Sequence, residues 1–152
     1  LEDVYLIFTM PNADSDGRII KQMIDEFVSS HKGKSIAFTS MGHLNYLSTL
    51  QYVDGVVGNS SSGLLEAPTF KIGTVNIGDR QKGRLRSESV IDCDANKKSI
   101  KKGIKTLYSK DFQSILPLIK NPYGNGGGSK KIINILRSNP FPERLKKEFY
   151  DL

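Results

Sequence analysis

The sequence predicts an α/β domain in which parallel strands form a doubly wound, Rossmann-like sheet. Short apolar runs alternate with segments whose apolar residues recur at helical spacing, as in βαβ units. Polar loops containing glycine follow several of these runs, at the place where open α/β sheets bind ligands. With 152 residues, of which 38% are hydrophobic, the chain is long enough for one sizeable core. We therefore expect a single domain over residues 1–152.

Five apolar runs are predicted to form the strands. The first, residues 4–10, is continuously apolar and rich in strand-forming residues, as in a strand covered on both faces, and it stops at Pro11. The other four runs are bounded by residues that favour turns. They are residues 35–40, 55–58, 74–77 and 90–93.

Helices are predicted between and after these strands. After the first strand, Ile20, Met23, Ile24, Phe27 and Val28 recur at helical spacing. The remaining predicted helices cover residues 44–50, 64–67, 100–107 with Asn96 as the cap, 132–136 and 143–150. The glycine-rich run 121–129 is interpreted as an ordered loop within the domain, because only a short helix pair follows it.

The basic charge raises the question of nucleic acid. The net charge is +6 and the pI is about 9.4, and lysine and arginine supply most of the affinity of proteins for phosphate backbones. The lysines are dispersed and no aromatic platform is interleaved with them, so we interpret them as a solvated helix face and expect no nucleic-acid partner. They are Lys97, Lys98, Lys101, Lys102 and Lys105, with Lys130, Lys131, Lys146 and Lys147 near the end.

Two further observations bear on the cellular compartment. There is no run of about eighteen apolar residues, and residues 1–4 lack the basic-then-apolar pattern of a signal peptide. The single cysteine, Cys93, cannot form an internal disulfide, which fits a reducing compartment. We therefore expect a soluble, cytoplasmic protein that has no membrane partner.

The loop Gly-Asn-Ser-Ser-Ser-Gly at residues 58–63 is the strongest candidate site. It follows a buried-type strand and opens a helix. Small residues let a phosphate approach the backbone, where unpaired N–H groups and the hydroxyls of Ser60 and Ser61 can donate to it. An ordinary N-capped turn would use the same residue types. Glu66, in the first turns of that helix, could accept hydrogen bonds from a ribose or could simply complement the helix dipole.

A second candidate loop, residues 78–84, directly follows a strand. Its cations Arg80, Lys82 and Arg84 are flanked by glycines and suit a diphosphate, which arginine can bind through two hydrogen bonds at once. The alternative is a solvated loop in which Arg80 forms an ion pair with Asp79 or Glu88.

A third loop, residues 11–17, carries several polar side chains, Asn12 among them. Capping of the following helix is the alternative to a ligand role. The spacing of a calcium-binding EF-hand is absent and no zinc-type cluster occurs, so we expect neither a metal nor another cofactor.

Neither His31 nor His43 has a neighbouring serine, cysteine or paired acid that would indicate a triad. No catalytic residue is therefore assigned in this chain.

Residues 58–68, GNSSSGLLEAP, and 74–84, TVNIGDRQKGR, together resemble the hydrolysing UDP-N-acetylglucosamine 2-epimerases of sialic-acid and related sugar pathways. Residues 11–14 and 121–124 resemble that family's segments in the same order, so the likeness runs from about residue 4 to residue 136. Non-hydrolysing epimerases typically carry Asp-Ser-Gly-Gly in place of residues 59–63 and lack the pattern at residues 78–81. The resemblance therefore favours the hydrolysing branch.

This resemblance implies the C-terminal half of a two-domain fold similar to the GT-B glycosyltransferases. UDP would be bound mainly by this half, and the sugar would lie in the cleft between the domains. By matched position, Ser60 and Ser61 would bind the diphosphate, Glu66 the ribose, Arg80 the nucleotide phosphates and the Met41 backbone the uracil, with Asn12 also among the substrate-binding residues.

The family's reaction eliminates UDP across C1 and C2 and then adds water to the resulting glycal, which releases N-acetylmannosamine and UDP. This chemistry needs a base at C2 and an acid, and the resemblance places the family's carboxylates in the N-terminal half. The chain alone is therefore expected to bind UDP without turnover. The expected substrate is UDP-N-acetylglucosamine or a related UDP-amino sugar, and the full-length protein is expected to be a homo-oligomer. Asn125 departs from the family, which more often has aspartate there.

Two alternatives remain open from the sequence. The donor-binding domain of a GT-B glycosyltransferase would use the same fold and often a ribose-binding glutamate, and release of free N-acetylmannosamine without an acceptor would exclude it. A basic nucleic-acid-binding domain would rely on the lysine-rich helix. Duplex binding that falls steeply with salt, without affinity for UDP, would favour that domain.

Overall fold

Strands and helices alternate through the part of the chain that the computed structural model describes, residues 3–11 and 16–139. The elements are β1 (Leu6–Thr9), α1 (Gly17–Ser30), β2 (Ser35–Phe38), α2 (Gly42–Thr49), β3 (Gly55–Gly58), α3 (Ser62–Leu65), β4 (Gly73–Ile77), β5 (Val90–Cys93), α4 (Lys97–Leu107), α5 (Lys110–Ile115) and α6 (Gly128–Ser138). Short 3₁₀ turns lie at Ala67–Phe70 and Leu116–Leu118.

The strand pairs within the described residues are parallel, which confirms the predicted α/β class. β1 pairs with β2, and β3, β4 and β5 form a separate sheet with β4 at its centre. The hydrogen bonds thus define two sheets where the sequence predicted one. Apolar patterning reports which segments are strands and how deeply they are buried, but it does not specify which strands pair.

The central strand β4 is covered on both faces, as a doubly wound sheet requires. Thr74 lies against α3, where its Oγ1 donates to the carbonyl of Gly63 at 2.9 Å. Val75 points to the opposite face and packs beneath Gly103 of α4, where an added Cβ would lie 2.8 Å from Val75 Cγ1. Glycine at these two helix positions allows α3 and α4 to approach the sheet closely.

Most of the predicted helices are present among the described residues, with two differences. The helix predicted over 64–67 is the single turn α3, followed by the 3₁₀ turn. The short helix α5 was not expected, because six residues carry too brief an apolar stripe to be recognised. The helix predicted over 143–150 lies outside the described residues. Asn96 caps α4 as expected, with its Oδ1 accepting from Ser99 N at 2.9 Å.

Two helices expose much of their apolar surface. In α1, Ile19 and Met23 are exposed, and in α6 Ile132, Ile135 and Leu136 are exposed.

Among residues 3–11 and 16–139, no helix is long and apolar enough to cross a membrane.

Candidate functional site

The candidate loops emerge at the carboxyl ends of parallel strands. β3 ends at Gly58 and its neighbour β4 ends at Ile77, so the serine loop (residues 58–63) and the cation-rich loop (residues 78–86) leave the same edge of the sheet. The cation-rich loop belongs to the connection between β4 and β5, which contains no helix although these strands are parallel neighbours. The geometry thus brings two of the three predicted loops together.

The serine loop presents several polar groups to solvent. Asn59 and Ser60 are exposed, and Ser61 occupies the N-cap position of α3 without a side-chain cap bond. Ser60 Oγ accepts from Ser62 N at 3.3 Å. One side-chain hydrogen bond to the backbone, of the kind expected in an ordinary polar turn, is therefore present. Because α3 is one turn long, few peptide dipoles add up at its N-terminus. Hydroxyl and N–H donors must therefore supply most of any affinity for phosphate.

Tyr46 connects α2 to this loop. Its hydroxyl lies 2.5 Å from Ser62 Oγ in a half-buried contact. Burial raises the pKa of the Tyr46 phenol, the hydrogen bond with Ser62 opposes that shift, and the negative charge of Glu66 adds to it. The phenol is therefore protonated at neutral pH and has a proton to donate.

Gln81 joins the two loops. Its side chain is only 2% exposed, and Nε2 donates to the carbonyl of Asn59 at 2.7 Å. The other amide atom, Oε1, is buried and has no hydrogen-bond partner among the described residues. This hydrogen bond fixes the serine loop against the cation-rich loop.

Arg80 is exposed and forms no ion pair with Asp79 or Glu88 within the described part of the chain. The solvated ion pair considered from the sequence is therefore not formed. Arg86 of the same loop instead pairs with Asp92 of β5. Asp92 Oδ1 also accepts from Asn76 Nδ2 of β4 at 2.8 Å, which anchors the end of the loop to the sheet.

The loop that begins at Asn121 makes side-chain hydrogen bonds near both the serine loop and the cation-rich loop. Asn121 Nδ2 donates to the carbonyl of Leu65 at 2.8 Å and to Thr69 Oγ1 at 2.7 Å. The hydroxyl of Tyr123 donates to the carbonyl of Leu85 at 2.9 Å. Three side-chain hydrogen bonds therefore hold this loop against the segment that follows the serine loop and against the cation-rich loop itself.

The other predicted site residues have mixed outcomes. Glu66 is half-buried and lies between α3 and the 3₁₀ turn, at the C-cap of α3 rather than in the first turns of a longer helix. Met41 is half-buried and directly precedes α2 after β2. Asn12 lies outside the described residues. His43 is exposed on α2, and the His31 ring stacks on Phe27 with centroids 4.0 Å apart.

A cavity of about 510 Å³ lies beside the cation-rich loop, at the ends of β4 and β5. Lys82, Arg86 and Asp92 line it together with Cys93, whereas Ser60, Ser61 and Arg80 do not. Burial raises the pKa of the Cys93 thiol, and the charges of Asp94 and Asp92 add to the shift, so the thiol is not an activated nucleophile.

Among the described residues, no group of three or more His, Cys, Asp or Glu side chains could hold a metal ion.

Three residues that hold the site together were not predicted from the sequence: Tyr46, Gln81 and Asn121. Gln81 lies inside the candidate loop 78–84 and Asn121 begins the glycine-rich run 121–129. The predictions for these segments rested on the charged and glycine neighbours of the two residues. Tyr46 precedes the buried Leu50 by one helical turn, whereas Leu44 of the predicted apolar stripe is 77% exposed. A tyrosine one turn before a buried leucine is weak evidence of a half-buried hydroxyl, but the sequence does not show which residue that hydroxyl contacts.

The fold and site define a class: a parallel α/β domain with phosphate-compatible loops at the carboxyl ends of adjacent strands. A family profile described as UDP-N-acetylglucosamine 2-epimerase matches residues 1–137. The chain belongs to the UDP-N-acetylglucosamine 2-epimerase family.

Curated relatives match almost the whole chain. The GDP/UDP-N,N'-diacetylbacillosamine 2-epimerase (hydrolyzing) of Campylobacter jejuni is 39% identical over 153 residues, which cover 100% of this chain and 39% of that protein. The polysialic acid biosynthesis protein P7 of Escherichia coli is 36% identical over 147 residues, 96% of this chain and 37% of that protein. The UDP-N,N'-diacetylbacillosamine 2-epimerase (hydrolyzing) of Legionella pneumophila is 32% identical, covering 94% and 36%. The chain thus spans less than two fifths of the length of these relatives.

Proposed function

We propose that this chain is the UDP-binding part of a hydrolysing UDP-N-acetylglucosamine 2-epimerase. The enzyme eliminates UDP from its substrate and adds water to the glycal, which gives N-acetylmannosamine and UDP. The chain supplies the C-terminal, nucleotide-binding half of a GT-B-like protein, and the acid and base lie in a half outside this sequence. Two relatives named as hydrolysing epimerases support this branch of the family.

One observation carries the proposal most directly: the hydrogen bond from Gln81 to Asn59 holds the serine loop beside the cation-rich loop. Ser60 and Arg80 are both exposed on these loops, and Arg80 is not neutralised by Asp79 or Glu88. Hydroxyl donors and a guanidinium that forms no ion pair within the described part of the chain suit a diphosphate, which is rich in acceptors and negatively charged.

The remaining roles are proposed from the family resemblance, by matched position. Ser60 and Ser61 donate to the diphosphate and Arg80 binds the nucleotide phosphates. Glu66 accepts hydrogen bonds from the ribose, and the Met41 backbone contacts the uracil. Asn12, which precedes α1 in the sequence, contributes to the substrate site.

Titration of the chain with UDP tests the nucleotide site. Ser61→Ala, Glu66→Ala and Arg80→Ala should each weaken binding, and removal of a hydrogen bond to a charged phosphate should cost about 10-fold or more in affinity. Arg137→Ala on α6 and Glu26→Ala on α1 are matched controls that remove the same charges elsewhere, and these should leave the UDP affinity unchanged. Equal affinity in the wild type and all three site variants would contradict the proposed site.

Product analysis of the full-length enzyme tests the reaction and the sugar. UDP-N-acetylglucosamine supplied without any acceptor should yield UDP and free N-acetylmannosamine, whereas a glycosyltransferase would require an acceptor. UDP-N,N'-diacetylbacillosamine should be assayed beside it, because two relatives are named for that sugar. Faster turnover of the diacetylated sugar would reassign the substrate within the same reaction class.

A further inference from the structure

The contact between Tyr46 and Ser62 joins a helix that carries no phosphate-binding residue to the loop that would hold the phosphates. Tyr46 lies in the second turn of α2, and Ser62 is the first residue of α3. Their side-chain oxygens are 2.5 Å apart and half-buried. Within the described residues, Ser62 Oγ has no other hydrogen-bond partner.

The chemistry of the two hydroxyls determines which one donates. A phenol is a much stronger acid than an aliphatic alcohol, and each hydroxyl has one proton and two acceptor lone pairs. The pKa of Tyr46 is raised by burial, so the phenol keeps its proton at neutral pH. The 2.5 Å separation allows either hydroxyl to donate. Because the phenol is still the stronger acid of the two, we take Tyr46 as the donor and Ser62 Oγ as the acceptor. The Ser62 proton must then point away from Tyr46.

We propose that Tyr46 is a positioning residue that does not contact the nucleotide. Its phenol donates to Ser62 Oγ and thereby turns the Ser62 hydroxyl proton toward the phosphates of the bound nucleotide. This inference rests on the proposed function, because it requires a phosphate in the serine loop. It adds Ser62 to the phosphate donors and assigns a role to Tyr46, the side chain that orients it.

Such pre-orientation matters because α3 is a single turn. A longer helix would attract a phosphate through its aligned peptide dipoles, but here the donors have to be individual N–H and O–H groups. A serine hydroxyl rotates freely unless a neighbour occupies one of its lone pairs. Fixing its rotation before the ligand arrives lowers the entropic cost of binding.

Calorimetric titration of the full-length protein with UDP tests the pair. Tyr46→Phe and Ser62→Ala should each weaken UDP binding about 5- to 10-fold, and the double variant should be no weaker than Ser62→Ala alone, because both changes remove one interaction. Tyr52→Phe, which removes a hydroxyl from an 87% exposed ring, is the matched control and should bind like the wild type.

Titration with uridine, followed by NMR, separates orientation of a phosphate donor from a general structural role. Uridine has no phosphate, so its affinity should be the same in the wild type and in Tyr46→Phe. An equal loss for uridine and UDP would overturn the inference, because the hydrogen bond would then act through the fold of α2 and α3. Unchanged UDP affinity in Tyr46→Phe, or losses that multiply in the double variant, would also overturn it while leaving the proposed function intact. A wild-type protein that binds no UDP would overturn both.

Discussion

Gly63 lies where the serine loop meets the central strand, and its missing side chain sets that distance. An added Cβ would lie 2.5 Å from Cγ2 of Thr74, a side chain that is 1% exposed and has little room to move. The same threonine donates to the Gly63 carbonyl at 2.9 Å. Packing and hydrogen bonding at this one residue therefore fix the height of α3 above the sheet.

Replacement of Gly63 by alanine should lower the free energy of unfolding by about 1–3 kcal/mol, the usual cost of overpacking a filled site. Chemical denaturation of the wild type and of Gly63→Ala measures the loss. Thr74→Ser removes the obstructing methyl but keeps the hydroxyl, so it should recover part of the stability in the double variant. Gly128→Ala, where nothing lies within 4 Å of the new methyl, is the control and should not destabilise. A stable Gly63→Ala protein would show that α3 can lift from the sheet at little cost.

Site residues whose chemistry is local could be predicted from the sequence. A serine-rich turn after a buried strand and a cluster of cations after the next strand mark Ser60, Ser61 and Arg80 as candidates without knowledge of the fold. Tyr46 and Gln81 could not be found in this way. Each acts through a hydrogen bond to a residue at least 16 positions away, and no local pattern reports such a contact.

At the scale of elements, the ends of β4 and β5 are joined by a small polar network. Asp92 accepts from Asn76 at 2.8 Å and also pairs with Arg86. Asn76 is 2% exposed, so its amide cannot turn to water if Asp92 is removed. The network thus ties the cation-rich loop to the sheet that carries it.

Asp92→Ala should cost about 1–3 kcal/mol of stability, because it leaves the buried Asn76 amide without its acceptor. Asp92→Asn keeps an acceptor oxygen in the same place and should cost much less, although it removes the negative charge beside Arg86. Thermal or denaturant unfolding of both variants distinguishes the two contributions. Equal losses would mean that the ion pair with Arg86, rather than the bond to Asn76, is the stabilising interaction.

Element prediction succeeded where apolar residues form a periodic pattern, and it failed for short turns. The five strands, α1, α2 and α4 were located from their apolar runs and stripes, and the cap of α4 was identified from Asn96. α5 depends on the Ser109 cap and on Gln113, whose amide donates to the carbonyl of Leu107 at 2.6 Å. The Gln113 bond reaches back to the last residue of α4, so the apolar pattern does not predict it. The Ser109 cap is a local signal, but the helix that follows it is too short to show a clear apolar stripe.

At the scale of the whole molecule, strand β4 of one sheet and strand β1 of the other differ sharply in burial. Residues Gly73–Asn76 of β4 are buried, whereas three of the four residues of β1 are exposed. A cavity of about 550 Å³, lined in part by Leu6, Phe27 and Ile104, lies between the β1–α1–β2 unit and α4. The first unit therefore has less packing to protect its hydrogen bonds than the second.

Hydrogen exchange of the 152-residue chain should reveal this difference. Amides of β4 should exchange at rates close to those of global unfolding, while those of β1 should exchange substantially faster through local opening. Mass spectrometry of peptides that cover Leu6–Thr9 and Gly73–Ile77 makes the comparison. Equal protection of both strands would show that the two sheets open as one cooperative unit.

The hydrogen bonds of Asn121 and Tyr123 also impose an order on synthesis. They reach back 56, 52 and 38 positions along the chain, to Leu65, Thr69 and Leu85. A ribosome therefore releases the serine loop and the cation-rich loop long before it makes Asn121 and Tyr123. A nascent chain that ends before Asn121 contains all three strands of the β3–β4–β5 sheet but lacks these three hydrogen bonds. These three contacts can therefore form only after the whole β3–β4–β5 sheet has been synthesised.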